Sequence, residues 1–292
     1  MANYKGTDTD LISVANAIRA KRNINNSLEW PSGYISQIRK IGETVPEIVS
    51  WSTGTDAEIA AMVEALDKGV ITVEETGWQI GDERVVSLSA MEATGVGESH
   101  VAQDVTFVLV DSGHFNLTTP TSGGDTKDHF VVAMKDCLKE KGYYYYSAYN
   151  DYITWGSCTR RTWCNNVFRM AIPETLRACF KQFQVVTGRP NYQSGTDTVS
   201  DYFSLFGARE VFPSSVTFYI NPSTQENAAL TTISWYNNSR RSKKIDGTAG
   251  QWMLRSQPGS RQGSCIIVNS DGANVNYTLN NNNIGISPFG CI

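Results

Sequence analysis

The chain has 292 residues, a formal net charge of −4, 40% hydrophobic and 18% charged residues. That length can hold a sizeable core, read as one large domain with a smaller one, and the composition excludes a disordered chain. The mild acidity argues against generic electrostatic attraction to nucleic acid.

The start, Met1 to Asp8, is polar and lacks a signal-peptide hydrophobic region. No apolar run approaches the ~20 residues of a membrane span. Synthesis in a cytoplasm is therefore expected, and an extracellular role would need lysis or assembly into a particle.

Residues 1 to 45 form the first expected unit. Thr7 to Asp10 offer N-caps, and Leu11, Val14, Ala15 and Ile18 follow at helical spacing. Pro31 suits the first turn of a second helix, with Tyr34, Ile35, Ile38 and Ile41 as its stripe. Two short amphipathic helices bury little surface alone, so the hairpin must pack on something else.

Pro46 marks a boundary. Thr55-Asp56-Ala57-Glu58 reads as a capping box, Ile59, Met62, Val63 and Leu66 form one helical face, and Gly69 suits the C′ position. Val70 to Val73, Trp78 to Ile80 and Arg84 to Leu88 read as strands, with a turn at Gly81-Asp82. Asp104 to Val110 reads as a buried strand. Phe130, Val131, Met134 and Leu138 suggest a helix, as do Trp163 to Met170 and Leu176 to Phe180 after Pro173. Val216 to Ile220 reads as a strand.

The last stretch orders itself as strand, loop, strand, turn, strand, loop, strand. It runs from Trp252-Met253-Leu254-Arg255-Ser256 through Cys265-Ile266-Ile267-Val268 and the turn Asn269 to Gly272, and closes with Ile284 to Phe289. A final apolar strand at the chain end is expected to be tied into a sheet.

Trp252 to Ser256 and Gly285 to Ile292 resemble the closing sheet of a C-type-lectin-like domain, in the variant found in phage and prophage tail proteins. The resemblance runs over roughly residues 51 to 292. It includes Trp78 to Asp82, the Asp104 to Val110 strand with His114 after it, and Phe203 to Phe212. Asp10 to Lys21 and Leu28 to Ile38 resemble a short module of tail and baseplate proteins of phages of Gram-positive hosts. Together these imply an α+β fold: a helical attachment or oligomerisation module over 1–45 and a C-type-lectin-like domain over 46–292.

Catalytic motifs are sparse. His100, His114 and His129 lack metal-ligand spacing, and Asp111 with His114 or Asp128 with His129 read first as polar-network groups. There is no Gly-x-Ser-x-Gly elbow, no Walker loop and no Gly-x-Gly-x-x-Gly. Calcium-dependent sugar binding in C-type lectins uses Glu-Pro-Asn or Gln-Pro-Asp; Gln257-Pro258-Gly259 departs from both, so calcium is not expected. The six cysteines, Cys137, Cys158, Cys164, Cys179, Cys265 and Cys291, form no Cys-x-x-Cys pair. They read as buried thiols, with a Cys265–Cys291 bridge as the sharper alternative. A copper-binding cysteine pair, as in formylglycine-generating enzymes of the same fold family, has no further support. No enzyme activity, cofactor or metal is expected.

The candidate binding face is the stretch Trp235 to Lys244, with Trp235, Tyr236, Asn237, Asn238, Arg240 and Arg241 singled out, joined by Asn274, Asn276, Tyr277 and Asn281 if both stretches meet on one side. Rings with amides suit sugar or protein recognition. The alternative places Trp235 in the core and the Arg240 to Lys244 run in a solvated loop. Tyr143 to Tyr146 is a second aromatic candidate, or a strand with alternate rings buried. The reading is a virion tail-tip or baseplate protein. Its expected partners are other tail proteins through 1–45, a host-surface glycan or protein, and copies of itself, a trimer first. The rivals are a purely structural tail or decoration protein and, behind it, a wall-degrading enzyme.

Overall fold

A computed structural model describes residues 45–93, 99–121, 126–144, 154–189, 195–215, 224–258, 264–273, 275–279 and 283–292. The helical module expected over 1–45 lies outside them, apart from Val45, as does the strand expected over Val216 to Ile220. The described residues form an α+β fold.

Helix α1 spans Asp56–Asp67. Its capping box is present: Thr55 Oγ1 accepts from Glu58 N at 3.3 Å and Glu58 Oε2 accepts from Thr55 N at 2.7 Å. The helix ends in a Schellman motif, with Val70 N donating to Ala65 O at 2.8 Å and Gly69 N to Leu66 O at 3.0 Å. Gly69 takes the left-handed conformation at φ 67°. The motif uses up Val70, so the strand expected at Val70 to Val73 is not formed. Val70 and Ile71 are buried in an irregular link. The strand expected at Trp78 to Ile80 is also absent. Trp78 is instead fixed through its indole, Nε1 donating to Val49 O at 2.8 Å, and the turn at Gly81-Asp82 follows.

The main sheet has five strands in the order β1 (Glu83–Leu88), β2 (Gln103–Ser112), β3 (Phe130–Met134), β12 (Phe289–Cys291), β6 (Phe203–Ser204). Strand β1 shows the alternation of an edge strand covered on one side: Val86 and Leu88 are buried while Val85 is exposed. Arg84 reaches from β1 to the start of α1, donating to Trp51 O at 3.1 Å and pairing with Asp56.

Strand β3 corrects the helix expected over Phe130 to Leu138. Phe-Val-Val-Ala-Met is a short unbroken apolar run with paired β-branched residues, and every one of its residues is buried. Such a run fits a strand covered on both faces better than a helix with one wet face.

The terminal strand β12 sits inside the sheet, between β3 and β6, as expected for a tied-down C-terminus. Phe289 lies at the centre of an aromatic cluster. Its ring stacks on Phe206 at 4.0 Å and on Phe115 at 5.0 Å, with Phe183 at 5.2 Å. A Cβ on Gly290 would meet Phe180 at 2.7 Å and Tyr202 O at 2.9 Å, so only glycine allows this approach. The regular strand is shorter than expected: Ile284 and Gly285 make isolated bridges to Gly142 and Trp252.

Among the described residues there are three smaller sheets: β4 (Phe183–Gly188) with β5 (Thr196–Asp201), β7 (Lys243–Ile245) with β8 (Thr248–Gly250), and β9 (Trp252–Met253), β10 (Ser264–Val268) and β11 (Val275–Leu279). The helices α2 (Thr159–Trp163) and α3 (Arg169–Ala171) flank a π turn, Cys164–Phe168. There Asn165 Oδ1 accepts from Tyr202 N at 2.7 Å, joining the turn to the β5–β6 link. Helix α4 (Glu174–Cys179) packs on α1, and the short helices α5 (Ala208–Val211) and α6 (Thr224–Ala229) follow in the chain.

The six cysteines are buried, and the Cys265–Cys291 bridge is not formed. Cys265 lies on β10 and Cys291 on β12, in different sheets. Burial pushes the thiols of Cys137 and Cys158 up to about 12.

Candidate functional site

The segment Trp235 to Gly250 builds one hollow. Asn237 caps the short helix α7 (Asn238–Arg241), its side chain accepting from Arg240 N at 3.1 Å and from Ser239 Oγ at 2.9 Å. After α7 the chain enters the β7–β8 hairpin. Its two-residue turn, Asp246-Gly247, has both residues at positive φ, 47° and 80°. That is a type I′ turn, whose twist matches the flanking strands.

Between α7, the hairpin and the end of β3 lies a groove of about 320 Å³. Trp235, Tyr236, Ser239 and Arg240 form one wall, Lys243, Lys244 and Ala249 another, and Val108, Val110 and Met134 to Asp136 the floor and far side. Trp235 is half-buried. The Arg240 guanidinium lies over its ring, 3.8 Å from the centroid. A Cβ on Gly81 would meet the ring at 3.1 Å, so the tryptophan needs glycine beside it.

Lys243 is buried at the base of the groove. Its ammonium donates to Met134 O and, at 3.0 Å, to Lys135 O, and lies 5.1 Å from the Trp252 ring. Burial pushes its pKa down to about 8. Lys135 pairs with Glu83 at 2.8 Å. Asp136 Oδ1 accepts from Lys244 N at 2.8 Å.

Residues 127–292 match a family model described as Domain of unknown function (DUF6273). The chain belongs to the DUF6273 family. No curated protein and no solved structure matches it. The family segment supplies every wall of the groove except Val108 and Val110 on β2, and Gly81, on which Trp235 rests, also lies upstream of it. The groove therefore joins the DUF6273 segment to the part of the sheet that precedes it.

Among the expected binding residues, Trp235, Tyr236 and Arg240 line this groove. Asn237 and Arg241 line an adjoining open hollow that shares Tyr236 and Ser239. Two of these are core residues rather than free binding groups. Tyr236 is 5% exposed and packs edge-on against Phe206 at 5.3 Å. Arg241 is 3% exposed, its guanidinium 4.3 Å over Phe212, and its carbonyl accepts from Trp252 Nε1 at 2.8 Å.

Asn238 opens α7, and its side chain lies outside the described residues. Among the described residues the groove's lining ends at Ala249, so Asn276 does not join it. Asn276 is exposed on β11, opposite Ile267 of β10. Tyr277 is placed on β11 by its backbone alone, and Asn274 and Asn281 lie outside the described residues. Of the second aromatic candidate, Tyr144 is core, its hydroxyl donating to Arg255 O at 2.6 Å.

Lys135 and Asp136 were not among the expected site residues, and Lys243 and Lys244, inside the expected stretch, were not singled out. The Asp246-Gly247 pair is a strong short-range hairpin signal that would have folded Lys243 and Lys244 back beside Trp235. Reading Phe130 to Leu138 as a helix hid Lys135 and Asp136 at the end of β3. His114 Nδ1 lies 3.0 Å from Asp111 Oδ2, beside the β-bulge between Leu109 and Asp111. Among the described residues no three His, Cys, Asp or Glu gather as a ligand set, and no helix is long and apolar enough to cross a membrane.

Proposed function

We propose that this chain is a virion tail-tip or baseplate protein whose C-type-lectin-like domain binds a host-surface ligand through the Trp235–Lys244 groove. The observation that carries the reading is a groove walled by a stacked Trp235–Arg240 pair and the exposed Lys244, set in a rigid antiparallel scaffold. Rigid placement of an aromatic and cations suits recognition of a surface ligand without chemistry on it. The tail setting comes from the sequence resemblances at both ends of the chain. In this reading residues 1–45 attach the protein to neighbouring tail components and to copies of itself, and the copies turn weak single contacts into avidity.

Surface binding of the purified protein to cells of candidate hosts tests the proposal, beside the double variant Arg240→Ala with Lys244→Ala. Both side chains are exposed, so folding should survive. Binding by the wild type that the variant loses is the expected result. An absence of binding to a proven host would instead favour a purely structural tail role.

A further inference from the structure

We infer that the ligand of this groove is an acidic saccharide or polyol chain, carrying a carboxylate or phosphate that docks between Arg240 and Lys244. The inference rests on the host-binding reading and narrows its ligand.

The first argument is the state of the tryptophan. A neutral sugar commonly packs its C–H face on a bare ring, but Trp235 is already occupied. The Arg240 guanidinium covers the ring at 3.8 Å, Arg240 Nη1 donates to Trp235 O at 3.3 Å, and Gly81 abuts the benzo edge. The flat group offered there is a guanidinium, held in a fixed plane by stacking. A planar fork with its orientation already set matches a carboxylate or phosphate.

The second argument is charge accounting. Four cations line the groove, and two are spent internally: Lys135 on Glu83, and Lys243 on the Met134 and Lys135 carbonyls. Among the described residues Arg240 and Lys244 have no carboxylate within salt-bridge distance. The one carboxylate in the lining, Asp136, already accepts the Lys244 amide. Behind them the buried Lys243 ammonium adds positive potential that solvent screens poorly. In a chain of net charge −4 this excess of cations is local.

The third argument is length. A second hollow, of about 180 Å³, lies across the β7–β8 hairpin and shares Met134, Asp136 and Lys244 with the groove. Its lining carries Thr106 and Lys139 beside the carboxylates of Asp104, Asp136 and Asp246, which accept from hydroxyls, so it suits the uncharged, hydroxyl-bearing stretch of such a chain. A chain anchored by its anion at Arg240 and Lys244 could continue over Lys244 into this polar hollow, which a lone anion would leave empty.

Binding of the full chain to three immobilised polymers tests this: polygalacturonate for carboxylate, poly(glycerol phosphate) for phosphate, and neutral dextran. Double-stranded DNA serves as a charge-only control. One acidic polymer should bind and dextran should not, and the acidic polymer that binds identifies the anion. Arg240→Ala and Lys244→Ala should each weaken that binding about tenfold with unchanged thermal unfolding. Dextran bound as tightly, DNA bound as tightly, or variants without effect would each overturn the inference. If neither acidic polymer binds but host cells still do, the ligand class is wrong and the receptor reading stands. If host cells are not bound either, both fall.

Discussion

Arg255 and Arg240 make opposite use of the same side chain. Arg255 is fully buried, its fork bonded to Glu210 at 2.6 and 2.5 Å and to the carbonyls of Leu205 and Val186 at 2.8 and 3.0 Å. Next to it Ser256 donates to Glu226, which also accepts from Gly188 N at 2.8 Å. Burial raises the Glu226 carboxyl above its usual range, and Arg255 opposes the shift. Arg240 lies on the surface against a ring, with no carboxylate partner among the described residues. A charge with every donor spent inside the core positions the fold; a charge oriented by stacking but left unpaired is available to a ligand.

The sharpest way to break that comparison is to delete the buried member. Arg255→Ala would leave Glu210 and Glu226 buried without their cation, at a cost of about 3–5 kcal/mol. A large fall in the denaturant midpoint, or failure to fold, is expected. Pairing Arg255→Met with Glu210→Met should recover part of the loss, since two apolar groups need no partners. An Arg255→Ala protein as stable as the parent would show that the knot is not buried as described.

Lys243 stands between the two cases, buried yet at the groove's base. Its pKa is about 8 in the folded protein, below the unfolded value near 10.5. Between those values the unfolded chain holds more protons, so this group makes stability rise with pH across that window. Below pH 8 the lysine is charged in both states and the burial penalty is fully present. Against Lys243→Met, in which the other titrations cancel, the wild type should gain up to roughly 3 kcal/mol from pH 8 to 10.5. Unfolding midpoints at pH 7, 9 and 10.5 measure it; a constant difference between the two proteins would mean that the ammonium is solvated.

The α+β class, α1 with both of its caps, the helices around the π turn, β10 and the tied-down C-terminus were legible because each depends on local pattern. The capping box of Thr55 and Glu58 needs only a short stretch of chain. Strand β3 was not legible as a strand because a short apolar run fits a buried strand and a helix alike, and only pairing with β2 and β12 decides. The conspicuous Trp252 to Ser256 motif pointed to a real feature of the fold, but Arg255 and Ser256 serve the core through Glu210 and Glu226, partners too distant in sequence to read. The burial of Tyr236 and Arg241 was hidden for the same reason: a polar or aromatic residue in a loop declares its chemistry, while its burial depends on Phe206, Phe212 and Trp252.

A smaller effect lies far from the groove. Thr55→Ala removes one half of the capping box and should cost about 1 kcal/mol, with ligand binding unchanged. Loss of binding in that variant would show that the start of α1 and the groove are coupled.

Arg240→Ala should have the smallest effect on stability and the most selective effect on function. The guanidinium buries no partner charge, and its contacts are one stack and one bond of 3.3 Å to the backbone. Truncation should change stability by no more than about 0.5 kcal/mol. It should also uncover the Trp235 ring. If Arg240 governs the choice of ligand, the variant would lose acidic polymers and gain whatever affinity a bare indole has for neutral sugars, a reversal of preference rather than a uniform loss. Equal weakening toward acidic and neutral ligands would make the arginine a support for the tryptophan and nothing more. Preserved unfolding together with reversed preference would separate the surface arginine from the buried one.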